Sequence, residues 1–387
     1  MRASVVSAVM PAAAPLADLV DGIPGPVRTL LAALAVLSLV LGGGYLLIAA
    51  RARRLDRQRA DLLQEVGLLQ TALLPPVPSN VGAVRTSVAY RPSDGPAAGG
   101  DFYDALTLPG GRAAFILGDV SGHGRQALAR TAFMRYTLRA YLQAGLEPRT
   151  TLQVAGRVID GHLDGHFATV VLAVHDPVSG SLTYACAGHP PPIVVGPTRP
   201  EPVLVGSAPP IGLGMRTGVR QTTLPLPPGS VVCLYTDGLA ESRVDGGILG
   251  RPRLADIVEE QGRRATAAGL LDAVAAEARL VSDDMATLVL SPTAGVTSGG
   301  FRTEQIEIDA REAEDGLAER FLEACGVKTA RLREAADEAR ALAGGYGGAV
   351  LYVRFGIPGR QVEVLPRNVT SLEVASRLRA VPRRSSA

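Results

Sequence analysis

Residues 113–124 read AAFILGDVSGHG, and the fold turns on how they are read. An apolar run at Arg112–Leu117 has the look of a buried strand, and it stops at Gly118-Asp119. Gly122 and Gly124 then set a tight loop around His123, and helical spacing starts at Arg125. An aspartate at a strand end, flanked by glycines that let backbone carbonyls approach, suits a hard cation such as Mg²⁺ or Mn²⁺.

Three further sites repeat the pattern. Gly99-Gly100-Asp101-Phe102-Tyr103-Asp104 reads as a turn, Thr236-Asp237-Gly238 follows the apolar run Val231–Leu234, and Asp283-Asp284-Met285 precedes Thr287–Leu290. No histidine and cysteine set stands at zinc spacing. Carboxylates converging on one spot repel one another unless cations neutralise them. Two hard cations so held can activate a water and clamp a phosphoryl oxygen for in-line attack. Read singly, each aspartate fits a turn or helix cap equally well, and spacing alone does not bring the four together.

The surrounding pattern is α+β. Strand-like runs recur at 85–90, 169–175, 181–187, 191–195, 231–235 and 287–290, with helical stretches at 125–142, 150–163 and 270–281. Hairpin signals such as Asp176-Pro177-Val178-Ser179-Gly180 predict mainly antiparallel sheets.

The 387 residues, 47% hydrophobic and 20% charged, are globular in composition and allow two or three domains. A net charge of +2 gives no footprint for nucleic acid. Arginine far outnumbers lysine, and alanine, glycine and proline abound, as in high-GC bacterial genes. Cys186, Cys233 and Cys325 are odd in number and widely spaced; they read as buried small hydrophobes in a reducing compartment.

Thr29–Ala50 holds 22 residues without a charge, enough to span a bilayer. Arg51, Arg53, Arg54, Arg57 and Arg59 follow it, so the bulk of the chain is expected on the cytoplasmic side of the cell membrane, single-pass. Arg51–Leu74 reads as one helix in which Leu55, Leu62, Val66, Leu69 and Leu73 form a heptad-like seam, with Arg59 in one seam position. A short parallel coiled coil, and with it a homodimer, and a simple amphipathic helix are equal readings. The expected divisions are a short N-terminal segment (1–28), a transmembrane helix (29–50), a helical linker (51–78), a central domain (79–294), a small separate α/β unit (301–368) and a basic tail (369–387).

The ordered set GGDFYD, GDVSGHG, AGHPPP, YTDGLAE and DDM resembles the SpoIIE/RsbU-like bacterial branch of the PPM protein phosphatases, over about residues 69–292. The resemblance implies an α-β-β-α sandwich of two antiparallel sheets with a centre of two Mn²⁺ or Mg²⁺ ions. By matching motifs, Asp101, Asp119, the Val120 carbonyl, Asp237 and Asp283 would be the metal ligands, Asp119 bridging both ions. Asp283 is preferred to Asp284 as the first of its pair. Asp119 and Asp237 would carry catalysis with a water nucleophile. His123 would orient that water or protonate the leaving oxygen, or else serve only as a hydrogen-bonded turn residue. His189 reads as a turn and packing residue. Cys186, where asparagine commonly precedes AGHPPP, and Ala286, where threonine often follows the DD pair, depart from the pattern without touching a ligand.

The function implied is hydrolysis of phosphoserine or phosphothreonine on a regulatory protein, a phosphorylated STAS-type anti-sigma-factor antagonist. A membrane-tethered scaffold with a structural metal site is the competing class. In this branch a helix like 125–142 relays regulation to the metals. The 301–368 unit faintly resembles a GHKL kinase domain but lacks its N-box asparagine and its lid, so an interaction module is expected there.

Overall fold

The computed structural model describes residues 24–92, 100–122, 125–197, 199–206, 208–280, 283–293, 300–356 and 360–367. The chain divides into two compact units, Met1–Glu65 and Val66–Ala387. The 1–23 segment, residues 294–299 and the basic tail lie outside the described residues.

Helix α1 spans Gly25–Leu73. Pro26 sits in its first turn, where no amide donor is needed, and it stops just before the prolines at 75, 76 and 78. Its Gly25–Leu55 part is the one helix among the described residues that is long and apolar enough to cross a membrane. The side chains of 58–73, which carry most of the heptad seam, are outside the described residues.

The second unit is built on two antiparallel sheets. In chain order the strands are β1 (Asn80–Val81), β2 (Val84–Arg91), β3 (Asp101–Thr107), β4 (Ala113–Val120), β5 (Ala168–Asp176), β6 (Ser181–Ala187), β7 (Ile193–Val195), β8 (Arg220–Pro225), β9 (Val231–Tyr235), β10 (Arg243–Val244), β11 (Gly247–Ile248), β12 (Met285–Pro292), β13 (Thr303–Ile308), β14 (Ala349–Arg354) and β15 (Gln361–Pro366). One sheet has the order β1-β2-β12-β9-β7, the other β15-β14-β13-β8-β6-β5-β4-β3, and β10-β11 is a separate hairpin.

Side-chain alternation assigns the layers. Phe115 and Leu117 of β4 meet Val232 and Leu234 of β9 and Leu288 and Leu290 of β12 between the sheets. The other face of β4, with Ile116, packs on helices α2 (Arg125–Gln143) and α3 (Pro148–Ile159) through Met134, Leu138, Leu152 and Ile159. The outer face of β9, with Val231 and Cys233, packs on α4 (Gly250–Gln261) and α5 (Ala267–Glu277) through Leu254, Val258, Leu270 and Val274. The result is the expected α-β-β-α order.

Two expectations are corrected. The GGDFYD motif is not a turn throughout: Asp101 is the first residue of β3. The unit expected to stand apart at 301–368 joins the larger sheet, because β13 pairs antiparallel with β8, Thr303 opposite Thr223 and Ile306 opposite Arg220. The β8 edge would otherwise leave a row of backbone groups unpaired. This extension keeps a core of its own, Ile306, Phe321, Leu322, Ala339 and Leu351. Gly316, whose φ of 73° is left-handed, separates α6 (Ala310–Glu314) from α7 (Leu317–Ala324); α8 (Thr329–Tyr346) follows.

Candidate active site

Four separated stretches meet at one end of the inter-sheet core. Asp101 and Asp119 are direct partners across the β3–β4 ladder. They lie on the same face as Phe115 and Leu117, the face turned to the second sheet. Thr236, at the end of β9, donates its hydroxyl to Asp101 Oδ2 at 3.0 Å. The same hydroxyl oxygen accepts the Ala286 amide of β12 at 2.9 Å. One threonine therefore ties both sheets to the Asp101 carboxylate.

Asp237 opens the helical turn Asp237–Ala240 just beyond Thr236. Asp283 is exposed, and its Oδ1 accepts the Asp284 amide at 2.8 Å. Asp284 is buried, and Tyr90 on β2 donates to its Oδ2 at 2.6 Å. Close backbone approach is built in. A Cβ on Gly100 would stand 1.9 Å from the Val120 carbonyl oxygen and 2.4 Å from Asp119 Oδ1. A Cβ on Gly238 would stand 2.0 Å from the Asp284 carbonyl oxygen. Only glycine fits either place.

The electrostatics show the carboxylates acting on one another. Burial, then the charge of Asp119, pushes the Asp101 carboxyl well above the usual carboxylate range, against the lowering effect of the Thr236 bond. Burial, followed by Asp237, Asp283 and Asp284, pushes Asp119 up to about 7. Asp237 is raised by burial first, then by Glu241 and Asp283. Removal of these groups from water, with like charges as neighbours, penalises the ionised forms.

The donors fit a hard divalent cation in kind: carboxylate oxygens and one carbonyl that glycine leaves accessible. Among the described residues, no three acidic, histidine or cysteine side chains are drawn around a single point as a finished cage. The carboxylates ring the cleft, as mutual repulsion favours. His123 lies outside the described residues.

Several residues of the site have no signal in the sequence. Tyr90 reaches Asp284 from the neighbouring strand of the same sheet, and Thr236 reaches Asp101 across the two sheets. His166 stands beside the glycine loop, its Nδ1 3.5 Å from Ser121 Oγ, while that hydroxyl oxygen accepts the Phe167 amide at 2.9 Å. Asp104, three residues beyond Asp101, points to the opposite face of β3. There it accepts Arg135 Nε at 3.0 Å and Arg139 Nη1 at 2.9 Å, clamping α2 to the strand that starts with Asp101. Leu128 and Leu138 of the same helix are buried. His189 is buried too, in keeping with a packing role.

The two antiparallel sheets and their helices form a PP2C-like α+β fold. The SiaA-PP2C domain of Pseudomonas aeruginosa superposes on it with a TM-score of 0.53 at 22% identity, covering 61% of this chain and 98% of that domain. Residues 109–293 match the family model of stage II sporulation protein E (SpoIIE). The chain is similar to phosphoserine phosphatase RsbU of Bacillus subtilis, at 27% identity over 148 residues, 37% of this chain and 44% of that protein. Phosphoserine phosphatase RsbP of the same organism is 24% identical over 151 residues, 37% of this chain and 36% of that protein. The chain thus spans less than half the length of either relative.

Proposed function

We propose that this chain is a metal-dependent protein serine/threonine phosphatase that hydrolyses phosphoserine or phosphothreonine on a regulatory protein, a phosphorylated STAS-type anti-sigma-factor antagonist. The carrying observation is the meeting of Asp101, Asp119, Asp237 and Asp283 from distant parts of the chain beside the Val120 carbonyl. These residues would hold two ions, Mn²⁺ or Mg²⁺. When bound, such ions supply activation of water and charge neutralisation at a phosphoryl group.

The protein's own groups do the positioning. The β3–β4 ladder fixes Asp101 and Asp119 side by side, the Thr236 hydroxyl fixes one Asp101 oxygen, and Tyr90 holds Asp284 behind Asp283. Gly100 and Gly238 leave room for backbone carbonyls at the cleft. His123, one loop from Asp119, would orient the attacking water or protonate the departing serine or threonine oxygen. Helix α2 starts just beyond that loop, so a shift of its first turn would move Asp119 and Val120 and gate the site. Helix α1 would anchor the domain at the cell membrane in a single pass, with the arginines after it on the cytoplasmic side. Its 51–74 part would pair two copies.

The test is Mn²⁺-dependent hydrolysis of a phosphoserine peptide by the wild type, Asp119→Asn and Asp237→Asn. Both variants are expected to lose roughly 100-fold or more, the scale of removing a group that acts only in the transition state. Equal turnover by all three overturns the enzyme reading in favour of a scaffold. A sugar phosphate turned over faster than the phosphopeptide overturns the protein substrate. Phosphoproteomics of a deletion strain identifies the partner as the protein that stays phosphorylated.

A further inference from the structure

Two adjoining cavities, of about 260 and 290 Å³, open at the end of the smaller sheet away from the acidic cleft. They share Arg85, Arg263 and Ser291 in their walls, and the second adds Arg264. The cleft lies where β12 begins, just after Asp283 and Asp284, whereas Ser291 stands at the far end of that strand. At about 3.3 Å per residue, Ser291 is roughly 20 Å from Met285.

The charge here is of one sign. Arg85, Arg263 and Arg264 are all exposed, and no carboxylate lines either cavity. The acids of the neighbouring helices are already taken. Asp256 and Glu259 of α4 bind Arg199, Glu260 of α4 and Glu277 of α5 bind Arg253, and Asp272 of α5 binds Arg91. Arg85 donates from Nη2 to the Arg263 carbonyl at 2.8 Å, which draws these two residues together. The Arg263 and Arg264 guanidiniums meet no acceptor among the described residues.

The uncharged groups of the wall add donors. Ser87 Oγ accepts the Ala267 amide at 3.0 Å, and Thr266 Oγ accepts the Gly269 amide at 3.1 Å. A hydroxyl that accepts in this way still has its own proton to give. The wall therefore offers guanidinium forks and hydroxyl donors, with gathered like charges that an anion would relieve. A cation would be repelled, and a neutral guest would leave the charges uncompensated. Guanidinium forks match the oxygens of a phosphate two at a time. We propose that these joined cavities are a binding site for a phosphate group, carried by a small solute or by a lipid headgroup, with Arg85, Arg263 and Arg264 as its contacts. The proposal stands apart from the phosphatase reading, since none of these residues belongs to the acidic cleft.

The test uses the full-length chain in phosphatidylcholine nanodiscs with EDTA present, so that the acidic cleft holds no metal and repels anions. Inorganic phosphate is the probe, titrated at constant ionic strength against Tm. The wild type should respond saturably with a Kd below about 1 mM. The double variant Arg263→Gln, Arg264→Gln should bind at least about tenfold more weakly, and Arg264→Glu alone should do the same. The general stabilising effect of phosphate as a salt is common to all three proteins and cancels in the comparison. Nanodiscs of equal parts phosphatidylcholine and phosphatidylglycerol separate the two sources. A headgroup in the site would raise the wild-type Tm before any phosphate is added and weaken phosphate binding, in the wild type alone; unchanged phosphate affinity assigns the site to a free solute. A wild-type response that does not saturate, or one kept at full affinity by Arg264→Glu, overturns the site.

Discussion

Asp104→Ala should cost the fold about 3 kcal/mol. Asp104 is buried between two arginines of α2, with side-chain exposures of 2% for Asp104, 5% for Arg135 and 32% for Arg139. Breaking a buried ion pair from one side typically costs about 3–5 kcal/mol, because the remaining charge is stranded. Here the buried charge that loses its carboxylate is that of Arg135. Arg139 is a third exposed and can turn to water, so its share is small, which brings the figure to the low end of the range. For a unit of this size that is a fall in Tm of roughly 5–10 °C, read by calorimetry or circular dichroism. Arg135→Met should be damaging as well, but the double variant should recover at least about 1 kcal/mol against the sum of the singles. A shift below about 2 °C for Asp104→Ala, or strict additivity in the double variant, refutes the clamp.

Gly100→Ala should leave the protein folded while weakening Mn²⁺ binding by at least about tenfold, since its Cβ would stand 1.9 Å from the Val120 carbonyl oxygen; titration followed by thermal shift checks it. Saturating Mn²⁺, at about 100 times its Kd, should stabilise the wild type by about 2.7 kcal/mol and Asp119→Asn far less. His189 gives a pH signature. The unfolded chain takes up a proton near the ordinary histidine pKa of 6.5, whereas the folded ring resists protonation until about 3. Stability is therefore lost as pH falls through that window, and Tm measured against pH in His189→Phe should show a flatter acid limb.

What the sequence revealed and what it hid divide along physical lines. The strands at 181–187 and 231–235 were read with their observed bounds, because buried β residues carry a local apolar signal. Strand β8, RQTTLP, was missed because its polar side chains resemble a loop. The start of β3 was hidden by Gly100 and Asp101, both turn formers. Helix α4, GRPRLADIVEEQ, opens with glycine and proline and carries five charges, which obscured its short apolar stripe. The four aspartates were identifiable as turn-flanking acids, but their common location came from family resemblance, since the pair Asp101 and Asp119 stands more than a hundred positions before the pair Asp237 and Asp283 and leaves no spacing to measure. The Asp104 clamp joins residues 31 and 35 apart on a strand and a helix. Pairing between distant elements leaves no periodic trace, and for the same reason the union of β13 with β8 was not legible.

That union sets a boundary for any shorter version of the protein. The family match ends at residue 293, ten positions before β13 begins. A chain trimmed there would keep the acidic cleft but strip β8 of its outer neighbour, baring amides and carbonyls from Arg220 to Thr223 together with the apolar underside that Ile306 covers. Such a raw edge invites other chains to add on, so a truncated form would be prone to clump for reasons unrelated to its chemistry.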